Sequence, residues 1–145
     1  MKRVLKFSII ALLFVACDKD CGDEVAATGP VGFTFEVVKE STHENVFTAG
    51  FYTKSQIHIT DQNDEPITFD FIAENNLNLI KVNLGWETKT DVYDVTIGED
   101  IEFQILFSLK ETETECSSST HLENLEIQGA ESETSEETYM RILVP

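Results

Sequence analysis

The feature that most constrains the fold of this chain is a nine-residue run in which apolar side chains recur at every second position. Ile101, Phe103, Ile105, Phe107 and Leu109 alternate with Glu102, Gln104, Leu106 and Ser108. Successive side chains of a β-strand point to opposite faces, so this pattern predicts a strand with one buried face. The same period of two recurs in six shorter segments: 33–38, 56–60, 67–71, 93–97, 125–127 and 140–144.

Turn-forming residues separate these segments. Residues 61–66 (Asp-Gln-Asn-Asp-Glu-Pro) divide two of them, and Gly98-Glu99-Asp100 joins the two longest, which predicts an antiparallel hairpin. Seven or eight short strands with turns at this spacing are typical of an all-β protein, and we expect an antiparallel β-sandwich. The apolar phase slips between Leu79 and Ile80, which indicates either a bulge or a strand buried on both faces. Residues 110–120 and 129–138 are rich in Ser, Thr and Glu, and we expect exposed loops there.

The N-terminus has the pattern of a secretory signal. Lys2, Arg3 and Lys6 precede an apolar run from Phe7 to Ala16. As a helix this run would reach about 15 Å, half of the roughly 30 Å hydrocarbon core of a bilayer. It is therefore too short to span a membrane and suits a cleaved signal peptide.

The end of this signal, Phe14-Val15-Ala16-Cys17, resembles the lipobox of bacterial lipoproteins. The resemblance implies cleavage before Cys17 and a diacylglyceryl group on its sulfur, although Phe14 stands where Leu is usual. The acidic residues 18–24 that follow resemble the surface-export tag of Bacteroidota lipoproteins. Together these likenesses imply attachment to the outer membrane by an N-terminal lipid, at the cell surface rather than the periplasmic face. An ordinary secretory signal followed by a solvated acidic tether is the alternative.

This organisation divides the chain into a signal peptide (1–16), a lipidated cysteine with an acidic tether (17–30) and a β-sandwich domain (31–145). The signal holds three of the ten basic residues and no acidic ones, so its removal changes the formal charge from −17 to −20. Such a charge repels nucleic acid, and we expect no nucleic-acid partner. It attracts cationic partners, but only over the roughly 8–10 Å at which salt screens charges.

Two cysteines remain besides Cys17. Outside the cytosol Cys21 and Cys116 are allowed to form a disulfide, which would tie the tether to the Ser/Thr-rich segment. Two free thiols are the alternative.

The domain itself resembles small immunoglobulin-like or transthyretin-like lipoprotein domains of Bacteroidota. The likeness lies in the strand pattern and in two phrases, residues 32–38 (GFTFEVV) and 85–88 (GWET). Neither phrase carries a mechanism, so no family site is transferred to this chain.

No catalytic signature stands out. The chain has no nucleophile-elbow pattern, and Cys116 with His121 lies in a Ser/Thr-rich segment where a disulfide or an inert thiol explains the cysteine. His43, His58 and His121 are too scattered for a zinc site. His58 is expected on the polar face of its strand, because Ile57 and Ile59 flank it.

Calcium is the metal that the residues favour most, and only weakly. Asp61, Asn63 and Asp64 begin like a calcium loop, but Pro66 occupies the sixth position where such loops need glycine. A hairpin turn explains the same residues, because Asp and Asn side chains bond to nearby backbone groups in turns. We therefore predict no cofactor.

Three aromatic residues form a candidate ligand platform: Phe51, Tyr52 and Trp86. Phe51 and Tyr52 are adjacent, so only one of them can face inward in a strand. Trp86, after Gly85 at a strand end, is interpreted as a lid on the core rather than as part of a platform.

We expect a non-catalytic, lipid-anchored binding or scaffolding module of the cell envelope, with an outer-membrane protein or a glycan as its partner. A carbohydrate-binding accessory lipoprotein is the alternative, and an exposed contiguous aromatic pair would favour it. A weak hydrolase is the third hypothesis, which a deep cleft with two buried carboxylates would favour.

Overall fold

A computed structural model describes residues 29–74, 77–114, 117–135 and 139–145. Its strands are β1 (Val31–Lys39), β2 (Ile57–Asp61), β3 (Phe69–Glu74), β4 (Leu77–Gly85), β5 (Lys89–Ile97), β6 (Ile101–Glu113), β7 (Ser118–Gln128), β8 (Glu131–Thr134) and β9 (Met140–Val144). A short 3-10 turn, Lys54–Gln56, precedes β2. No helix in these ranges is long and apolar enough to cross a membrane.

The strands form two sheets. Sheet A has the order β3-β4-β1-β9-β8, and sheet B has the order β2-β5-β6-β7. This confirms the predicted all-β, sandwich-like class, with nine strands in the described residues instead of seven or eight. One pair also departs from the antiparallel prediction, because β1 and β9 run parallel with Phe35 opposite Met140 and Lys39 opposite Val144.

The core lies between the sheets and follows the alternation of the sequence. Phe103, Ile105 and Phe107 on β6 are at most 1% exposed, and their even-numbered neighbours point outward. Phe35 of β1 packs edge-on against Phe103 of β6, with ring centroids 5.9 Å apart. The predicted hairpin at Gly98 is confirmed by the continuous antiparallel register of β5 and β6.

Strand β4 contains the slip of the apolar alternation between Leu79 and Ile80. Leu79 and Ile80 are consecutive and both buried, while the pairing of β4 with β3 runs without a shift. The strand is therefore buried on both faces in its middle and carries no bulge there. The register shift of this sheet lies instead in the pairing of β1 with β4, where the consecutive residues Val31 and Gly32 lie opposite Gly85 and Asn83.

The expectation of loops at 110–120 and 129–138 is wrong in two places. β6 and β7 continue as a hairpin through Glu113 and Ser118, closed by a 2.7 Å hydrogen bond from the Thr114 amide to the Ser117 carbonyl. Residues 131–134 form β8, which pairs with β9. These residues are mostly exposed, as expected. Each of these segments nevertheless pairs with a neighbouring strand on one side, and a polar sequence gives no signal of that pairing.

The two ends of the sandwich are defined by the two ends of β1. At the entry end, where the chain enters β1, Val31 lies opposite Gly85 of β4. At the far end β1 finishes at Lys39. Eight residue steps separate Val31 from Lys39, which corresponds to about 26 Å along the strand.

Candidate binding surfaces

Two large hydrophobic side chains are exposed among the described residues. Trp86 is 58% exposed and Phe51 is 52% exposed. The interpretation of Trp86 as a core lid is therefore wrong. The core beside it is closed instead by Leu109, which is 2% exposed, and by Lys89, whose Nζ lies 5.2 Å from the Phe107 ring centroid.

The two exposed aromatic residues lie at opposite ends of the sandwich. Trp86 follows Gly85 at the entry end, whereas the Phe51 ring centroid lies 4.1 Å from Nζ of Lys39 at the far end. Tyr52 is partly buried against the core and is not a second exposed ring beside Phe51. The three predicted platform residues therefore do not form one contiguous surface.

Local backbone contacts present Trp86 to solvent. Gly85 has a φ of 113°, a value that favours glycine, and its amide donates to Oδ1 of Asn83 at 2.9 Å. On the other side the Thr120 hydroxyl donates to the Trp86 carbonyl oxygen. Hydrogen bonds therefore fix the backbone before and at Trp86, and its exposed indole extends from a fixed turn.

Tyr52 is held over the β5–β6 turn. Its hydroxyl donates to Oδ2 of Asp100 at 3.4 Å, and a Cβ on Gly98 would lie 2.6 Å from the Tyr52 ring. Partial burial raises the pKa of Tyr52, and the Asp100 carboxylate raises it further. Tyr52 thus has a packing role, and Phe51 is the outward residue of the pair.

A polar groove of about 360 Å³ lies on the outer face of sheet A. At its base Glu36 is only 5% exposed, and its Oε1 accepts a 2.6 Å hydrogen bond from Nε of Arg141 on β9. The other carboxylate oxygen accepts from Nδ2 of Asn45 at 3.3 Å. Glu36 is the one buried carboxylate in the described ranges, so they contain no cleft with two of them.

The same contacts pin the loop after β1 onto sheet A. Nδ2 of Asn45 also donates to the Asn78 carbonyl at 3.1 Å, and its Oδ1 accepts from the Phe47 and Thr48 amides. No buried side-chain polar atom of the described residues lacks a partner. The buried polar groups at the base of the groove are therefore satisfied by partners within the described residues.

The candidate calcium residues form a turn. Oδ1 of Asp61 accepts hydrogen bonds from the Asn63 amide at 2.8 Å and the Glu65 amide at 3.0 Å. These bonds lower the pKa of Asp61. Its carboxylate caps the turn, as the alternative interpretation expected, and Asp64 adopts a φ of 61° within it.

The other candidate residues are dispersed. His58 is exposed on β2 between two buried isoleucines, as predicted. The described ranges contain no cluster of three His, Cys, Asp or Glu side chains that could hold a metal ion. Cys17, Cys21 and Cys116 lie outside the described residues, so the lipidation and disulfide predictions stay predictions.

Among the described residues, no strand pairs with the outer edge of β7, a feature that the sequence did not reveal. β7 spans 11 residues at the edge of sheet B, and β6 is its hydrogen-bonded neighbour. The other edge strands, β2, β3 and β8, span five, six and four residues. The edge of β2 is also partly covered, because the Ile67 amide donates to the Ile59 carbonyl.

Comparison of the chain with protein-family models, with curated proteins and with solved structures gives no match.

Proposed function

We propose that the protein is a lipid-anchored binding module of the cell envelope, held at the outer-membrane surface through Cys17, which captures another envelope protein and does not catalyse a reaction. The signal, the cysteine that ends it and the acidic residues behind it support the anchor. The likeness to immunoglobulin-like or transthyretin-like lipoprotein domains stays a prediction.

The observation that carries the binding role is the open edge of β7. An edge strand presents a row of backbone donors and acceptors to which an extended segment of another protein can add. Leu122, Leu125 and Ile127 line the inner side of this edge and are half-buried against the core. An added strand would cover them and extend sheet B to five strands.

The charge of the surface beside the β7 edge indicates which kind of partner segment it would bind. Exposed acidic residues line β7 and the hairpin beside it: Glu111, Glu113, Glu123 and Glu126. Lys110 is the basic residue of this region, and it is already paired with Glu123 at 3.2 Å. We propose as partner an extended segment of an outer-membrane protein in which apolar residues alternate with basic ones.

The anchor is tested by the intact mass of protein extracted from membranes. We expect the mass of the chain from Cys17 plus a diacylglyceryl group, and loss of both the addition and the membrane attachment in Cys17→Ala. An unmodified, freely secreted wild-type product would contradict the anchor.

The edge is tested by placing a photoreactive side chain at single positions of the full-length protein in native membranes. Positions 121 and 126 lie on β7, and the matched control, position 90, is exposed on β5 away from the edge. We expect adducts from the two β7 positions, with an alternating basic segment identified by mass spectrometry, and fewer adducts when Glu126→Lys is added to the position 121 variant. Equal yields at position 90, or no adducts from β7, would contradict the proposal.

A further inference from the structure

We infer that Trp86 is a membrane contact: the entry end of the sandwich meets the bilayer that holds the anchor, with the indole at the level of the lipid headgroups. This inference rests on the lipid anchor of the proposed function. It concerns a different part of the molecule from the β7 edge.

The position of Trp86 in the fold is the first argument. Gly85 lies opposite Val31, so Trp86 stands beside the point where the chain from Cys17 enters the domain. Eleven residues separate Cys17 from Gly29, and even fully extended they would reach only about 40 Å. The far end, with Phe51, is about 26 Å more distant along β1, so a lipid at Cys17 raises the local concentration of bilayer most strongly around Trp86.

The presentation of the indole is the second argument. At 58% it is the most exposed large hydrophobic side chain of the described residues, and hydrogen bonds brace the backbone around it. An amphipathic indole favours the interface between water and lipid, because its ring is apolar and its N–H is polar. Pro30 and Phe69 add apolar surface to a shallow groove at the same end.

The charges at this end select the type of bilayer. Two lysines lie at this end beside acidic residues: Lys89 is paired with Asp91 at 2.9 Å, and Lys81 lies opposite Asp70 of β3 in the shallow groove. Glu87 follows Trp86, and the acidic turn at Asp61 is tied to the start of β5 by a 3.1 Å hydrogen bond from Gln62 to Asp91. These carboxylates are repelled by anionic headgroups. The contact should therefore be stronger on zwitterionic lipid than on anionic lipid.

The chain offers a direct readout, because Trp86 is its single tryptophan. The lipidated protein is reconstituted into phosphatidylcholine vesicles whose acyl chains are brominated near the headgroup. We expect a blue shift of the emission and loss of its intensity, and a smaller loss in vesicles that also contain phosphatidylglycerol. A wild-type emission that is neither shifted nor quenched would overturn the inference, as would stronger quenching on the anionic lipid.

The double variant Trp86→Phe, Phe51→Trp is the matched control, because it moves the reporter to an exposed aromatic position at the far end. We expect no quenching from position 51. Equal quenching at both positions would overturn the inference, since it would show contact without a preferred end.

Co-sedimentation and intact mass separate this result from the anchor. A protein that is lipidated and sediments with vesicles, but whose Trp86 stays unquenched, overturns the inference and leaves the anchor standing. If the native lipid is missing, the same measurement is made on the Cys21→Ser, Cys116→Ser variant coupled at Cys17 to a thiol-reactive phospholipid. Quenching at position 86 but not at position 51 in that protein supports contact of the entry end with a bilayer attached at Cys17, while the missing native lipid contradicts the anchor of the proposed function.

Discussion

Glu36 is buried although the alternation of β1 places it on the solvent face. Phe35 and Val37 point into the core, so the period of two places Glu36 outward, where a carboxylate is normally solvated. The structure buries it instead, because Arg141 and Asn45 close over it from β9 and from the loop after β1. Its arginine partner lies 105 residues away along the chain.

We expect Glu36→Ala to lower the free energy of unfolding by about 2 kcal/mol, because it leaves a hydrogen-bonded cation without its buried partner. This lies below the usual cost of a fully buried pair, since the Arg141 side chain is 39% exposed. Urea unfolding, read as a shift of the midpoint at constant slope, measures the loss.

Glu133→Ala is the matched control, because Glu133 is half-exposed and 3.7 Å from the same arginine. We expect it to cost less than about 0.5 kcal/mol. Equal losses of unfolding free energy in the two variants would show that the buried Glu36–Arg141 pair stabilises the fold no more than the exposed Glu133–Arg141 pair.

Asp61 links stability to pH. Its pKa is lowered in the folded state by the amides of Asn63 and Glu65, so its contribution is present above the unfolded pKa near 3.8 and is lost as pH falls through the folded value. We expect the stability difference between the wild type and Asp61→Ala to be constant near neutral pH and to shrink in acid. Thermal unfolding of both proteins across this range measures it, and a difference that grows in acid would contradict the assignment.

At the scale of elements, alternation identified the strands that bury one face. The pairing of β5 with β6 and the cores of both strands, 93–97 and 101–109, were predicted, because each has a clear period of two and the Gly98 turn lies between them. The first four residues of β5 and the last four of β6 were not predicted as strand. β8 and the N-terminal part of β7 were missed, since residues such as Ser118, Ser119 and Thr120 are polar on both faces. Their extended conformation comes from pairing with a neighbour, which no local pattern records.

Ile105 and Leu106 are adjacent residues on opposite faces of β6, and they test which face is buried. We expect Ile105→Ala to cost about 3 kcal/mol, because it opens a cavity at a side chain with no exposure. Leu106→Ala, on the half-exposed outer face, should cost about 1 kcal/mol or less. Denaturant unfolding of the two variants measures both losses, and a reversed order would mean that the faces of β6 are misassigned.

The strand pattern did not predict which aromatic side chains are exposed. The sequence indicated that only one of Phe51 and Tyr52 could face inward, but it did not say which, and it placed Trp86 on the core. The chain turns at Gly85 so that Trp86 leaves the sheet, and Leu109 with Lys89 occupies the space beside that glycine. Which ring is exposed depends on these neighbours from other strands.

At the scale of the whole molecule, the charge opposes compaction. A formal charge of −17 before processing spreads repulsion over the entire surface. Few of the carboxylates are compensated, since the described residues show ion pairs at Glu36, Asp91, Glu123 and Glu133.

Salt should therefore stabilise this protein. We expect the melting temperature to rise as sodium chloride shortens the screening length from about 30 Å at 0.01 M to about 8 Å at physiological ionic strength. Scanning calorimetry over this series measures the shift. A melting temperature that falls with salt would mean that the few ion pairs outweigh the general repulsion.

The local features of this protein follow from its residue pattern: the all-β class, the buried faces of the alternating strands, and the turns at 61–66 and 98–100. Four features emerge only in the folded molecule: the parallel pairing of β1 with β9, the burial of Glu36, the position of β7 at the edge of sheet B and the separation of Trp86 from Phe51. The reason is physical. Side-chain alternation depends on neighbours two residues apart, whereas register, edges and ends depend on contacts between segments that meet only when the chain has folded.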